Sequence, residues 1–212
     1  MEDIGIKSKV RVDEYGEVYT PENIVRDMLD LIEEDSYRVE CTMLEPACGN
    51  GNFLVEILRR KLETAAKADI SEYDKKVFIA VSTIYAIDIA MDNIKQSKQR
   101  MEEVLKRGYK DKTGKDISSE LMRALKYVMD INIICGNSLT GKEEIMQRDI
   151  IIAEWKMNGN IVSRTDYKFK DMYESSMFNE PTNEYIDIDF REVYNIQRKT
   201  EEMTEEDIYN ML

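Results

Sequence analysis

The stretch MLEPACGNGNFLVEIL, Met43 to Leu58, decides how this chain is read. Before its glycines lies the short apolar run VECTML, which reads as a buried strand. After them FLVEILRRKLETAAKA places Leu54, Ile57, Leu58 and Leu62 on one helical face. Strand, glycine turn and helix in that order make the first half of a βαβ unit. Gly49 and Gly51 permit positive φ or a close backbone approach, so the turn either cradles a ligand or is simply tight. Where a dinucleotide fingerprint carries its third glycine, Phe53 and Leu54 already begin the helix.

Working outward, YTPENIVRDMLDLI carries a helix start, with Thr20 as N-cap, Pro21 at the first helical position and Glu22 in the first turn. Ile24, Val25, Met28, Leu29 and Ile32 are expected on its apolar face. On the other side, KKVFIAVSTIYAIDIA splits into a helix end and a strand over Ile84 to Asp88. MDNIKQSKQRMEEVLKRG predicts a helix stopped by Gly108, then a loop YKDKTGKD, a helix in ISSELMRALKYVM and a strand in INIICGNS. This alternation predicts an α/β protein with an open parallel sheet. Past Gly141, DIIIAEWKMNGNIVSRTDYKF reads as a β-hairpin turning at Asn158-Gly159. The expected division is therefore 1–150 as a ligand-binding domain, 151–170 as an appended hairpin and 171–212 as an acidic tail.

With 212 residues, 42% of them apolar and 34% charged, the composition is that of a soluble globular chain. No run approaches the roughly 18 to 20 apolar residues of a membrane span, and Met1 to Val10 lacks a secretory signal, so a cytoplasmic location is expected. Histidine is absent, and the three cysteines have no paired metal-ligand spacing. His-based triads and the usual zinc sites are thereby excluded, and no metal is expected. The net charge of -13 opposes unaided binding to a polyanion. Twelve acids against Arg191, Arg198 and Lys199 from Asp171 onward give that tail -9 of the total. It reads as a solvated or disordered appendage, a partner-binding arm or a device that repels nucleic acid.

In an open α/β sheet, ligands sit beyond the carboxyl ends of the strands. Asp88 ends the second strand, where an acid either accepts both hydroxyls of a ribose or is a solvated loop residue. Asn137 and Ser138 end the third, where they either meet an adenine edge or form a polar turn.

Together these segments resemble the adenine-N6 DNA methyltransferases, most closely the branch containing methylation subunits of restriction systems. GEVYTPENIVRDML is similar to that family's motif before the first strand, LEPACGNGNFL to its cofactor motif, IYAIDI to its ribose motif and GNSL to the segment meeting the cofactor adenine. The resemblance implies a Rossmann-like class I methyltransferase fold, followed here by a C-terminal β-hairpin and acidic tail, with S-adenosylmethionine as cofactor. It would place Tyr19 and Thr20 near the methionine end of the cofactor, and Glu45, Ala47, Cys48, Gly49 and Gly51 in the loop beneath it. Asp88 would hold the ribose, Ile89 would cover the adenine and Asn137, where the family usually has Asp, would meet the adenine amine. Cys48 is assigned to packing rather than to nucleophilic chemistry.

The family grips its target base with Asn, Asp or Ser followed by Pro-Pro and an aromatic residue. This chain's prolines, Pro21, Pro46 and Pro181, are never adjacent. At the expected place stand Ala153, Glu154, Trp155 and Lys156, so Glu154 and Trp155 are the candidates for accepting the amine and stacking on the base. A lone Trp is equally a core or interface anchor. Two functions follow as expectations. One is methyl transfer to adenine in DNA, with divergent residues or a partner subunit holding the base. The other is an inactive relative that regulates or antagonises restriction through protein contacts.

Overall fold

The computed structural model describes residues 19–174 and 180–199. Gly16 to Val18 of the first resemblance segment, and residues 175–179 and 200–212 of the acidic tail, lie outside that range.

Helix α1 runs from Glu22 to Asp30 and α2 from Glu33 to Tyr37, ahead of strand β1, Met43–Glu45. Helices α3 (Asn52–Ala65) and α4 (Ile70–Ser82) lead to β2 (Ile84–Asp88). Helices α5 (Met91–Thr113) and α6 (Ser119–Asn132) lead to β3 (Ile133–Asn137). These three strands pair in parallel in the order β1-β2-β3, and the short β4 (Lys142–Glu143) adds antiparallel to β3. The central strand β2 is buried on both faces, whereas Leu44 of β1, expected in a buried strand, is 46% exposed. Ile84 and Ala86 enter the main core with α3, α4, α5 and α6, while Tyr85 and Ile87 enter a second cluster on the opposite face.

That second face is covered by another sheet. Strands β5 (Ile151–Asn158) and β6 (Ile161–Lys168) pair antiparallel, and β7 (Asn183–Glu184) and β8 (Ile188–Asp189) both pair with β6. Ile150, Ile152 and Phe169 pack onto Tyr85 and Ile87, and the Tyr85 hydroxyl donates to the Ala153 carbonyl at 2.6 Å. The turn falls one residue later than the Asn158-Gly159 pair suggests. Asn158 and Ile161 are the closing pair, and Gly159, with φ +61°, takes the first turn position.

Four local expectations are corrected. Pro21 rather than Thr20 caps α1, because the Pro21 carbonyl accepts the first helical bond, from Val25. Of the predicted apolar face of α1 only Val25 and Leu29 are buried. Gly108 does not stop α5, which continues to Thr113 and ends on Gly114 at φ +69°. A Cβ at residue 108 would lie 3.1 Å from Leu62 Cδ1, so this glycine serves the close approach of α5 to α3. Finally, the acidic segment is no solvated appendage over residues 180–199. A short 3-10 helix, Phe190–Asn195, buries Phe190 and Val193 completely in the main core, and the Phe190 ring lies 5.3 Å from that of Phe78.

Candidate cofactor site

Each parallel strand ends on a residue singled out from the sequence: β1 on Glu45, β2 on Asp88 and β3 on Asn137. Between β1 and α3 the loop Pro46 to Gly51 is hooked to the sheet by the Cys48 amide, which donates to the Ile87 carbonyl at 3.0 Å. The Gly51 amide then donates back to the Cys48 carbonyl at 2.9 Å, closing a tight turn. Both glycines have positive φ, +52° at Gly49 and +87° at Gly51, where a side chain is strained. Their neighbours differ. A Cβ on Gly49 would meet the Tyr19 ring at 3.1 Å, whereas one on Gly51 would run into Ser97 Cβ of α5 at 2.7 Å. Gly51 thus lets α5 close on the loop, and Gly49 lies under Tyr19.

Asp88 organises this loop. Its carboxylate accepts the Gly49 amide at 2.7 Å, the Ala90 amide at 2.9 Å and the Asn93 side-chain amide at 3.2 Å. Asn93, 2% exposed, in turn accepts the Tyr19 hydroxyl at 3.1 Å. A chain from Tyr19 through Asn93 and Asp88 to Gly49 therefore ties the N-terminal segment to the glycine loop. Glu45 accepts the Ala47 amide at 3.2 Å. Burial pushes its carboxyl above the usual range, the Ala47 bond opposes this, and the Asp88 charge adds to it.

Ile89, half-buried after β2, offers its carbonyl to the Cys135 thiol at 3.4 Å. Thr20 presents its carbonyl to Asn52 Nδ2 at 2.7 Å. Cys48 is 6% exposed, and burial, followed by the charges of Asp88 and Glu45, raises its thiol far above the ordinary range. That environment makes it packing, not a nucleophile. At Asn137 the side-chain oxygen already accepts the Leu139 and Thr140 amides, at 2.9 and 3.1 Å. What it has left to offer is its NH2, a donor, which suits an aromatic ring nitrogen better than an amine.

Three residues of this arrangement escaped the sequence reading. Asn93 sits two positions into α5, and no local pattern marks it. Arg100 Nη1 donates to the Asn50 carbonyl at 2.9 Å and to Asn52 Oδ1 at 2.6 Å, clamping the loop to α5 from behind. Asn50 itself stands between the two glycines with its Oδ1 buried and without a hydrogen-bond partner among the described residues. An unused buried acceptor is costly and calls for an explanation. A groove of about 960 Å³ between α1, α3 and α5 runs past Asn52 and Arg100, and none of Glu45, Asp88 and Asn137 lines it.

The two candidates for holding a base are not brought to these strand ends. The Trp155 indole donates to Asn132 Oδ1 at 2.9 Å, and Asn132 immediately precedes β3 while also bonding the carbonyls of Ser82 and Ile84. Trp155 is thus fixed at the amino end of the sheet, a strand length of roughly 16 Å from Asn137. Its ring also faces the Arg164 guanidinium at 5.4 Å. Glu154 is taken up by Lys156 at 3.0 Å and by the Tyr167 hydroxyl at 3.4 Å. The cause is topological: the strand that carries them pairs with β6 in a separate sheet instead of extending the parallel one. Among the described residues no cluster of Cys, Asp or Glu is arranged to hold a metal ion, and no helix is long and apolar enough to cross a membrane.

The family model described as N-6 DNA methylase matches residues 7–186. No individual curated protein and no solved structure matches significantly. The match takes in the glycine loop, all three parallel strands and most of the second sheet, and so covers far more than half of the sequence. The chain belongs to the N-6 DNA methylase family.

Proposed function

We propose that this chain binds S-adenosylmethionine across the carboxyl ends of β1, β2 and β3, in a Rossmann-like class I arrangement. The observation that carries the reading is the convergence of Glu45, Asp88 and Asn137 around a two-glycine loop whose Gly49 amide Asp88 holds. The residues suit such a ligand. Asp88 can exchange its backbone partners for ribose hydroxyls, and Glu45 supplies a carboxylate for the cationic methionine end beside Tyr19 and Thr20. Gly49 and Gly51, with Ala47 and Cys48, bring bare backbone close. Ile89 and the Asn137 amide provide an apolar and a polar contact for the adenine. When bound, the cofactor supplies an electrophilic methyl group on a sulfonium.

In this reading residues 1–150 form the cofactor domain, with 151–170 appended to it, and the chain acts in the cytoplasm on adenine in DNA. The base is held by a partner subunit, because Glu154 and Trp155 are engaged elsewhere. Positioning the weakly nucleophilic adenine amine in line with the methyl carbon is most of the catalysis, so the chain alone binds the donor without spending it. Calorimetric titration of the full chain with S-adenosylmethionine, alongside transfer of labelled methyl from the same stock to unmethylated DNA, tests this. Binding without transfer is expected; no binding overturns the reading, and transfer by the chain alone overturns the need for a partner. The remote placement of Trp155 also favours a second reading, a regulatory or anti-restriction protein that keeps the pocket. That reading predicts that a restriction complex is inhibited, not activated, when the chain is added.

A further inference from the structure

Helix α1 has two apolar faces, and the core uses one. Val25 and Leu29 are buried, while Ile24, Met28 and the C-cap residue Leu31, still in helical conformation, recur at i, i+4 and i+7 on an adjoining stripe that is exposed, Leu31 by 85%. Ile32, at the junction with α2, continues it and is 45% exposed. The stripe is about 10 Å long. Its border is acidic. Asp27, Glu33 and Glu34 are exposed and make no ion pair among the described residues. The two cations of this segment are already engaged, Arg26 with Glu22 and Arg38 with Asp35.

We propose that this stripe of α1 is the docking surface for a basic amphipathic helix of a protein partner. The fit is chemical. Apolar side chains at helical spacing would cover Ile24, Met28 and Leu31, and flanking Lys or Arg would meet Asp27, Glu33 and Glu34. The same acids argue against the other occupants. A second copy would bring like-charged borders face to face across a two-fold interface, and an anionic lipid surface would be repelled. The Thr20 carbonyl, just before α1, is bonded to Asn52 at the start of α3. A partner held on α1 is therefore one helix away from the glycine loop. The proposal rests on the partner half of the proposed function, and its test reads docking rather than methyl transfer.

The test uses the full chain and a fluorescent helix-forming peptide of Leu and Lys at amphipathic spacing, with a Leu and Glu peptide as control. The Lys peptide should bind and the Glu peptide should not. Met28→Ser with Leu31→Ser, and separately Asp27→Lys with Glu34→Lys, should each weaken binding by about tenfold or more. Glu120→Lys, an exposed acid at the start of α6, should leave it unchanged. Amide-exchange protection should fall on residues 22–35, and the affinity for S-adenosylmethionine should not change in any variant. All substituted side chains are exposed, so folding is preserved and checked by circular dichroism. Equal weakening by Glu120→Lys would reduce the binding to general charge attraction and overturn the proposal. Absence of binding, protection elsewhere, or a dimer that the Met28 and Leu31 changes dissolve would also overturn it.

Discussion

Asp88 stands where binding and architecture meet. Its carboxylate satisfies the amides of Gly49 and Ala90 and the side chain of Asn93, so it shapes the loop before any ligand arrives. Replacing it by Ala removes charge-assisted bonds of roughly 1 to 3 kcal/mol, and calorimetry should show S-adenosylmethionine affinity falling accordingly. Asn93 is a positioning residue, joining Asp88 to Tyr19. Asn93→Ala should cost less, about 0.5 to 1.5 kcal/mol, and the double variant should cost less than the sum, as for groups in one network. Strict additivity would mean that Asn93 acts independently of Asp88. An unchanged affinity in Asp88→Ala would remove the ribose role altogether. The sequence identified Asp88 through its place at the end of a strand. It could not identify Asn93 or Arg100, because their importance comes from α5 crossing the loop, a contact between segments tens of residues apart.

At the scale of elements, α3 shows how far pattern reading reaches. Its apolar spacing correctly places Leu54, Ile57, Leu58 and Leu62 inside, yet the helix also buries Lys61. The Lys61 ammonium donates to the carbonyls of Val39 at 3.0 Å and of Arg38 at 3.4 Å, to that of Cys41, and to the Thr83 hydroxyl at 2.8 Å. It thereby fixes the segment entering β1. Burial brings its pKa down to about 8 from 10.5. Between those two values the unfolded chain binds more protons at this site than the folded one, so the contribution of Lys61 to stability rises with pH across that window. Below it the buried ammonium carries its full desolvation cost. Urea denaturation at pH 7.5 and 10 should show the parent chain gaining about 2 kcal/mol relative to Lys61→Met, whose profile lacks this titration. A parallel pH dependence in the two proteins would show that Lys61 keeps an ordinary pKa. Similar reasoning explains Gly108 and α1. A glycine read as a helix stop is a contact residue, because the sequence does not reveal that Leu62 lies against it. The five-residue apolar face of α1 is half outside, since period alone cannot say which neighbour exists.

For the molecule as a whole, the alternating order of strands and helices through Asn137 was legible because each βα step is local. The destination of β5 was not, since a short apolar strand can extend a parallel sheet or join a separate one, and only the partners available decide. The acidic segment misled for the same reason. Charge density suggested solvation, while two apolar residues, Phe190 and Val193, anchor the segment 180–199 to the main core against α4 and α6. The buried pair of Arg164 with Asp166 secures the same connection, since Asp166 also accepts the Tyr185 hydroxyl at 2.9 Å and the Asn183 amide at 3.2 Å. The second sheet should therefore unfold with the first. Phe190→Ala should cost about 3 to 5 kcal/mol, because it leaves a cavity beside Phe78 that the surrounding helices can only partly fill. In urea the midpoint should fall while the slope stays the same, the mark of lower stability in a single cooperative unit. A shallower or two-step transition would mean that the β5 to β8 sheet melts separately and that the parallel sheet stands without it. A double-mutant cycle with Phe78→Ala distinguishes ring contact from simple volume. Coupling of about 0.5 to 1.5 kcal/mol is expected for rings at this separation, and none if Phe190 merely fills space.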